Sequence, residues 1–268
     1  MKIVLWIGNE ANQKALANKI HEKFPLAGIV TETRQKKSTL TVKKIFVKLI
    51  ERLFLGKIGK AWFGMMKYYE KRFPVYPAVP LLNTTNINDD KVFLFTTEKN
   101  PDLIVVSGTR LIREKLLSIS PVLGIMNLHT GLSPYIKGGP NCTNWCIANK
   151  EFHLIGNTVM WIDKGIDTGN IITTECTNFT GDESLTELHI KVMEHAHSLY
   201  LKSITTASLK KIQNIPQREI AQGTTYFTKQ WGLSEKFKLV KNYPLLKKAV
   251  KAGEVDQKRN DIKTFSLI

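Results

Sequence analysis

The stretch IVLWIGNEANQKALANKIHEKFPLAGIVTE, residues 3–32, decides the fold. Both of its ends are β-rich apolar runs, and between them Leu16, Ile20 and Phe24 recur at helical spacing. It reads as a buried strand, an amphipathic helix and a second strand. Further on, LIVVS at 103–107 is an uncharged β-branched run of the kind buried on both faces of a parallel sheet. Gly8 stands alone at the first strand-to-helix turn, where a dinucleotide fingerprint needs three glycines as G-x-G-x-x-G, so bound NAD or FAD is disfavoured. A Walker A lysine loop is also missing.

Working outward, residues 112–117 read as a short helix and 124–128 as a strand. A polar loop with Gly131, Pro134, Gly138, Gly139 and Pro140 follows, and Asn141 can cap a helix to Asn149. Strands at 155–161 and 171–174 flank a glycine-bracketed loop at 163–169. Asp182 or Ser184 then caps a long helix, on which Leu185, Leu188, Val192, Ala196, Leu199 and Tyr200 follow the 3.6-residue period. The expected fold is therefore α/β, Rossmann-like, with a mostly parallel central sheet. Residues 1–205 form the main domain, with a basic insertion at 32–95 carrying one or two helices, and 206–268 form a small C-terminal extension.

With 268 residues, 43% hydrophobic and 23% charged, the chain can bury a sizeable core, which excludes disorder driven by low hydrophobicity. Its net charge of +16 is concentrated: residues 34–72 hold twelve basic and two acidic side chains, and residues 229–268 hold ten and four. Anionic partners follow from that excess. Within the insertion, Val42, Ile45, Phe46, Leu49, Leu53 and Phe54 fall on one helical stripe, with Lys43, Lys44, Lys48, Arg52 and Lys57 largely around it. The stripe reads either as a packed face beneath solvated lysines or as a helix that meets a membrane surface or an anionic partner.

Cys142, Cys146 and Cys176 are too few and odd in number for a disulfide scaffold, so a reducing compartment is expected. The apolar run at 3–7 is shorter than a signal-peptide core, and Lys and Arg interrupt every longer hydrophobic segment. A cytoplasmic protein without a membrane span is the expectation. Cys142 and Cys146 could supply two metal ligands at i, i+4, but nothing nearby completes a four-ligand set, so they read as buried thiols and no metal is expected. His189, His195 and His197 read as helix residues, and His153 has no evident role.

The chemistry concentrates in NLHTGLSP at 127–134 and DKGIDTG at 163–169. Asn127 and His129 are two apart at the carboxyl end of a strand, so their side chains share a face at the sheet edge where α/β proteins bind ligands. A glycine-rich loop after another strand could bring Asp167 to them. Such a trio suits acyl transfer to an amine. An imidazole near its reference pKa of about 6.5 would take up the amine's proton, an amide would stabilise the oxyanion, and a carboxylate would orient the imidazole. The alternative is a hydrogen-bonded histidine of the core or loop. Ser133 is no candidate nucleophile, because G-x-S-x-G is absent.

Together, NLHTGLSPYIKGGPN and WIDKGIDTGNII resemble the formyltransferases that use N10-formyltetrahydrofolate. Members of that family carry Asn-x-His with a Ser-Leu-Leu-Pro loop, then an Asp in Gly-x-Asp-Thr-Gly. PDLIVVSGTRLI is similar to the family's folate-side strand and turn, and the likeness covers about residues 2–31 and 98–205. The resemblance implies a catalytic trio of Asn127, His129 and Asp167. It also implies a folate pocket lined by Gly108, Thr109, Arg110, Leu111 and Ile112 and by Ile162, Asp163, Lys164, Gly165 and Ile166. One departure stands out: the loop here is Gly131-Leu132-Ser133-Pro134, without the first serine.

Members formylate methionyl-tRNA, glycinamide ribonucleotide or nucleotide-linked amino sugars, and relatives hydrolyse the formyl-folate. The tRNA enzymes usually add a C-terminal barrel of roughly a hundred residues, whereas 64 residues follow residue 204 here. Length, the 32–95 insertion and the GGPN sequence look most like the sugar N-formyltransferases of O-antigen and lipopolysaccharide synthesis. The resemblance therefore implies an acceptor such as a nucleotide-linked 4-amino-4,6-dideoxyhexose, a homodimer and no nucleic-acid partner. Peripheral membrane contact stays open. Tyr226 or Trp231 could stack on a base, or could be core or dimer aromatics. Outside this class stands a catalytically silent basic module that binds membrane or nucleic acid.

Overall fold

In the computed structural model, residues 1–34, 41–209 and 212–267 are described; residues 35–40 of the expected insertion lie outside them. β1 (Ile3–Gly8), α1 (Ala11–Lys23) and β2 (Leu26–Glu32) make the expected βαβ unit, with the two strands parallel. Two helices follow, α2 (Val42–Phe54) and α3 (Gly56–Arg72), then β3 (Leu81–Thr84) and α4 (Asp90–Lys99). β4 (Leu103–Ser107), α5 (Glu114–Leu117) and β5 (Ile125–His129) complete the parallel half. Next come β6 (Ile136–Gly138), α6 (Cys142–Ala148), β7 (Gly156–Trp161), β8 (Ile171–Cys176) and α7 (Leu185–Ser208). The chain ends through β9 (Thr224–Tyr226), α8 (Leu233–Lys251) and α9 (Glu254–Asn260).

The seven-stranded sheet has the order β3-β2-β1-β4-β5-β7-β8, with β7 antiparallel to both of its neighbours, β5 and β8. Because strand order reverses between β1 and β4, their carboxyl ends open a crevice there, the usual ligand position in such sheets. On one face, Leu5, Ile7, Leu16, Met65, Tyr69 and Tyr200 join α1, α3 and α7 to the sheet. On the other, Val4, Trp6 and Ile104 pack with Val92 of α4, and Trp6 Nε1 donates to Thr96 Oγ1 at 3.0 Å.

α7 starts at Ser184, whose side chain accepts from Glu187 N–H while the Glu187 carboxylate accepts from Ser184 N–H. Its Tyr200 hydroxyl accepts from Val106 N–H at 2.9 Å and donates to the Met126 carbonyl at 2.6 Å. This polar tie crosses an otherwise apolar layer, fixing β4 and β5 against the helix immediately before Asn127.

Residues 32–95 are not one excursion from the sheet. β3 pairs with β2, α4 buries Val92, and α3 buries Met65 and Tyr69 in the main core. The four-residue strand escapes a sequence reading because it is short and follows Pro74, Pro77 and Pro80. α2 also differs from the packed-stripe expectation: its apolar stripe faces outward. The last sixty residues are tied to the body, since β9 pairs with β6 and α8 lies against α6 through Leu239 and Leu246. Phe265 bridges to Thr174 and Ile215 to Ile171.

Candidate active site

The strand β5 presents Asn127 and His129 on one face, and β4 delivers Gly108 next to them. Asp167 arrives on the loop that follows β7. β7 is antiparallel to β5, with Met126 opposite Trp161 and His129 opposite Thr158, so the 162–170 loop begins at the far end of β5 and folds back along it. Asp167 Oδ2 then lies 3.4 Å from His129 Nδ1 and accepts from Gly138 N–H at 3.0 Å, while Asn127 Nδ2 donates to Oδ1 at 3.4 Å. The 3.4 Å contacts are at the long end of hydrogen bonding.

The His129 ring is buried, with Nε2 facing the Ile136 carbonyl at 3.2 Å and Cys142 Sγ at 3.5 Å. Burial by itself favours the neutral ring, but the Asp167 charge, the Cys142 sulfur and the Ile136 carbonyl outweigh it and raise the pKa to about 10. The shift runs against the expectation of a neutral imidazole and favours the charged ring.

Gly131 lies where the family's loop has serine. A Cβ there would crowd His129 Nε2 and stand 2.7 Å from Cys142 Sγ. The thiol fills the space a residue-131 side chain would need. Cys142 and Cys146 are both buried, as expected, but Cys142 belongs to the site through its contact with the ring.

All three trio residues line a cleft of about 510 Å³, together with Gly108–Ile112 and every residue of 162–166 except Lys164. Lys164 is turned outward and pairs with Glu114 at 2.9 Å. Arg110 does line the cleft, yet its guanidinium donates to buried Glu32 at 3.1 Å and to the Thr85 carbonyl at 2.6 Å. Glu32 also accepts from Arg110 N–H at 2.8 Å and Ile87 N–H at 2.9 Å, so it shapes the 108–112 turn from below. Asp163 braces its own loop by accepting from Gly165 N–H and Thr168 Oγ1 at 2.9 and 2.6 Å.

Several functional positions escape the sequence reading. Trp62 and Met65 of α3, His189 of α7, and Phe227 and Thr228 of the C-terminal segment line the same cleft. His189 is held neutral by burial, with its pKa lowered to about 4, and lies 3.0 Å from Asn144 Oδ1. Tyr226 stacks on Trp145 at 4.3 Å between centroids, and Trp231 meets the same ring edge-on at 4.8 Å. Of the two proposed stacking residues, both serve the protein's own aromatic cluster.

Gln217 is the least visible of these positions. Asp167 has φ of 50°, a left-handed conformation that costs a non-glycine residue energy. Gln217 Nε2 donates to the Asp167 carbonyl at 2.8 Å and the Gly169 carbonyl at 2.9 Å, holding the loop in that conformation. Losing both bonds in Gln217→Ala, at roughly 1 kcal/mol per bond or about 2 kcal/mol together, is expected to lower kcat by up to about thirtyfold and the melting temperature by no more than about 8 °C. Steady-state kinetics beside a thermal melt checks this; an unchanged kcat removes Gln217 as a positioning residue.

Comparison with known proteins adds to this geometry. The family model described as Formyl transferase matches residues 2–204. A methionyl-tRNA formyltransferase from Clostridium botulinum is 32% identical over 153 residues, covering 56% of this chain and 47% of that protein. The chain spans about half the length of the curated relatives it matches. Among solved structures, a 4-N formyltransferase from Francisella tularensis matches with a TM-score of 0.57 at 18% identity, covering 90% of this chain and 87% of that one. An N-formyltransferase from Helicobacter canadensis, solved with folinic acid and dTDP-3-aminofucose, gives 0.52 at 14% identity, covering 92% and 82%. At these identities the likeness is one of fold.

Proposed function

The chain belongs to the formyl transferase family, and on that premise we propose that it moves the formyl group of N10-formyltetrahydrofolate to the amine of a nucleotide-linked amino sugar. The observation that carries the reading is the convergence of Asn127, His129 and Asp167 at one end of the cleft. The cleft suits a folate. Leu111 and Ile166 are exposed apolar side chains on two facing loops, beside backbone of the 108–112 and 162–166 segments. A flat heterocycle with polar edges needs such a combination. The folate would supply a formyl carbon already activated as an amide.

Formyl transfer exchanges one carbon–nitrogen bond for another: the acceptor amine loses a proton and N10 gains one. Asn127 N–H and His129 Nδ1–H can exchange their long contacts with Asp167 for the oxygen of the tetrahedral intermediate. Charged His129 thereby supplies both a hydrogen bond and a full positive charge to the developing oxyanion. The Asp167 carboxylate, next to the ring, takes the proton that the attacking amine releases. Gly138 N–H holds that carboxylate in place through the exchange.

For the acceptor, Phe227 and Thr228 add a further part of the cleft lining. Phe227 is half exposed there, with Lys229 Nζ 5.9 Å from its ring centroid, a flat surface and a cation suited to a base and its phosphates. The fold shared with an enzyme that holds a dTDP-linked amino sugar supports the same reading. A second reading, methionyl-tRNA as acceptor, is favoured by the names of the curated relatives.

Tetrahydrofolate release separates these readings. It is expected to depend on one amino sugar linked to dTDP, GDP or UDP. Release only with methionyl-tRNA or glycinamide ribonucleotide overturns the sugar assignment, and release without any acceptor points to a hydrolase.

A further inference from the structure

An amphipathic helix on a folded domain normally turns its apolar stripe inward. α2 does the reverse. Val42, Ile45, Phe46, Leu49 and Leu53 form one stripe along it, and all are exposed, Phe46 by 62% and Leu53 by 65%. Glu51 lies on the opposite side of the helix and anchors α2 to the body through an ion pair with Lys236 of α8. The orientation is therefore set by a contact on the polar side, which leaves the apolar side outward.

Charge identifies what covers it. The stretch 34–72 holds twelve basic residues and two acids, Glu51 and Glu70. Both acids are turned toward the body, Glu51 to Lys236 and Glu70 to Lys14 at 3.0 Å. Lys48 and Arg52 are exposed along one edge of the stripe. The outward surface of α2 thus combines aliphatic and aromatic side chains with positive charge and no acid. A second copy would bring like charge against like charge along the seam. Nucleic acid would be served by the cations but has no use for five exposed apolar side chains in a row. An anionic bilayer interface satisfies both, taking the stripe into its acyl boundary and the cations among its headgroups.

We propose that α2 is a peripheral membrane helix that seats the protein on an anionic lipid surface. No helix among the described residues is long and apolar enough to cross a membrane, so the contact is one of lying on the surface. The next helix, α3, which follows α2 directly at Leu55, carries Trp62 in the cleft lining.

Vesicle flotation with the full chain tests the proposal. Binding is expected to vesicles with about 30% phosphatidylglycerol, to weaken as salt is raised, and to be absent with phosphatidylcholine alone. The double variant Phe46→Ser, Leu49→Ser should lower partitioning at least about tenfold at any salt, because two buried apolar side chains are lost. Lys48→Glu, Arg52→Glu should lower it by a similar factor, most strongly at low salt. An unchanged circular dichroism spectrum shows that each variant is folded. Three results overturn the proposal: no binding of wild type to anionic vesicles, equal binding by wild type and both variants, or a Phe46- and Leu49-dependent dimer without vesicle binding. Binding to bulk tRNA with none to vesicles overturns it as well.

Discussion

Asp167→Asn is expected to lower kcat/KM for formyl transfer by about a hundred- to ten-thousandfold and to move the alkaline limb of the pH profile toward acid. The first effect follows from losing the carboxylate that faces His129 Nδ1 at 3.4 Å, since an amide can neither accept the amine's proton nor balance an imidazolium. The second follows from the sign of the shift. Burial favours neutral His129, and the Asp167 charge is the strongest of the effects that raise its pKa to about 10. In the wild type the ring stays charged through neutral pH, and rate falls only as pH rises toward that value. Without the carboxylate, burial is opposed only by Cys142 and the Ile136 carbonyl, and the folded-state pKa drops. Residual activity of the variant should therefore increase as pH is lowered from 8 to 5, where the wild type shows no such rise from this group. Rate measurements across that range, with a melt to confirm the fold, check both parts. A variant with wild-type rate, or with a reduced rate on an unshifted profile, contradicts the assignment of His129 as the charged donor.

Much of this site is legible in the sequence because its signals are local. Asn127 and His129 share a face by strand periodicity alone, and Gly108 follows an uncharged strand whose position in the sheet is set by its composition. The protonation state of His129 is not local. It depends on Asp167, Cys142 and the Ile136 carbonyl, which only folding brings to one ring. Glu32 and Gln217 escape for the same reason, since each acts on loop backbone about fifty to eighty residues distant. The α2 stripe shows the converse limit: periodicity defines an apolar face, but which way it turns is decided by Glu51 meeting Lys236 on another helix. The resemblance implies Lys164 in the pocket, but its side chain turns to solvent and pairs with Glu114.

The missing loop serine offers the sharpest test of how this site is built. Gly131→Ser alone is expected to cost about ten- to a hundredfold in kcat/KM. Its Cβ would crowd His129 Nε2 and sit 2.7 Å from Cys142 Sγ and 2.9 Å from Cys142 Cβ, and overpacking of that kind costs about 1–3 kcal/mol. The ring can yield only by leaving Asp167 or the Ile136 carbonyl, so the strain falls on catalysis as well as stability. Cys142→Ala alone should cost less than about fivefold, since it removes a sulfur that supports the charged ring but leaves Asp167 in place. Combined, the two changes should recover part of the activity lost in Gly131→Ser. The alanine removes the sulfur 2.7 Å from the new Cβ, while the contacts with His129 Nε2 and Cys142 Cβ remain. The signature is non-additivity: a coupling of at least about 1 kcal/mol between the sites, read from kcat/KM of the four proteins. Additive losses would mean that Cys142 is a bystander and that the glycine answers to some other constraint. Recovery would show that Gly131 and Cys142 are coupled, the glycine leaving room for the thiol that contacts the His129 ring.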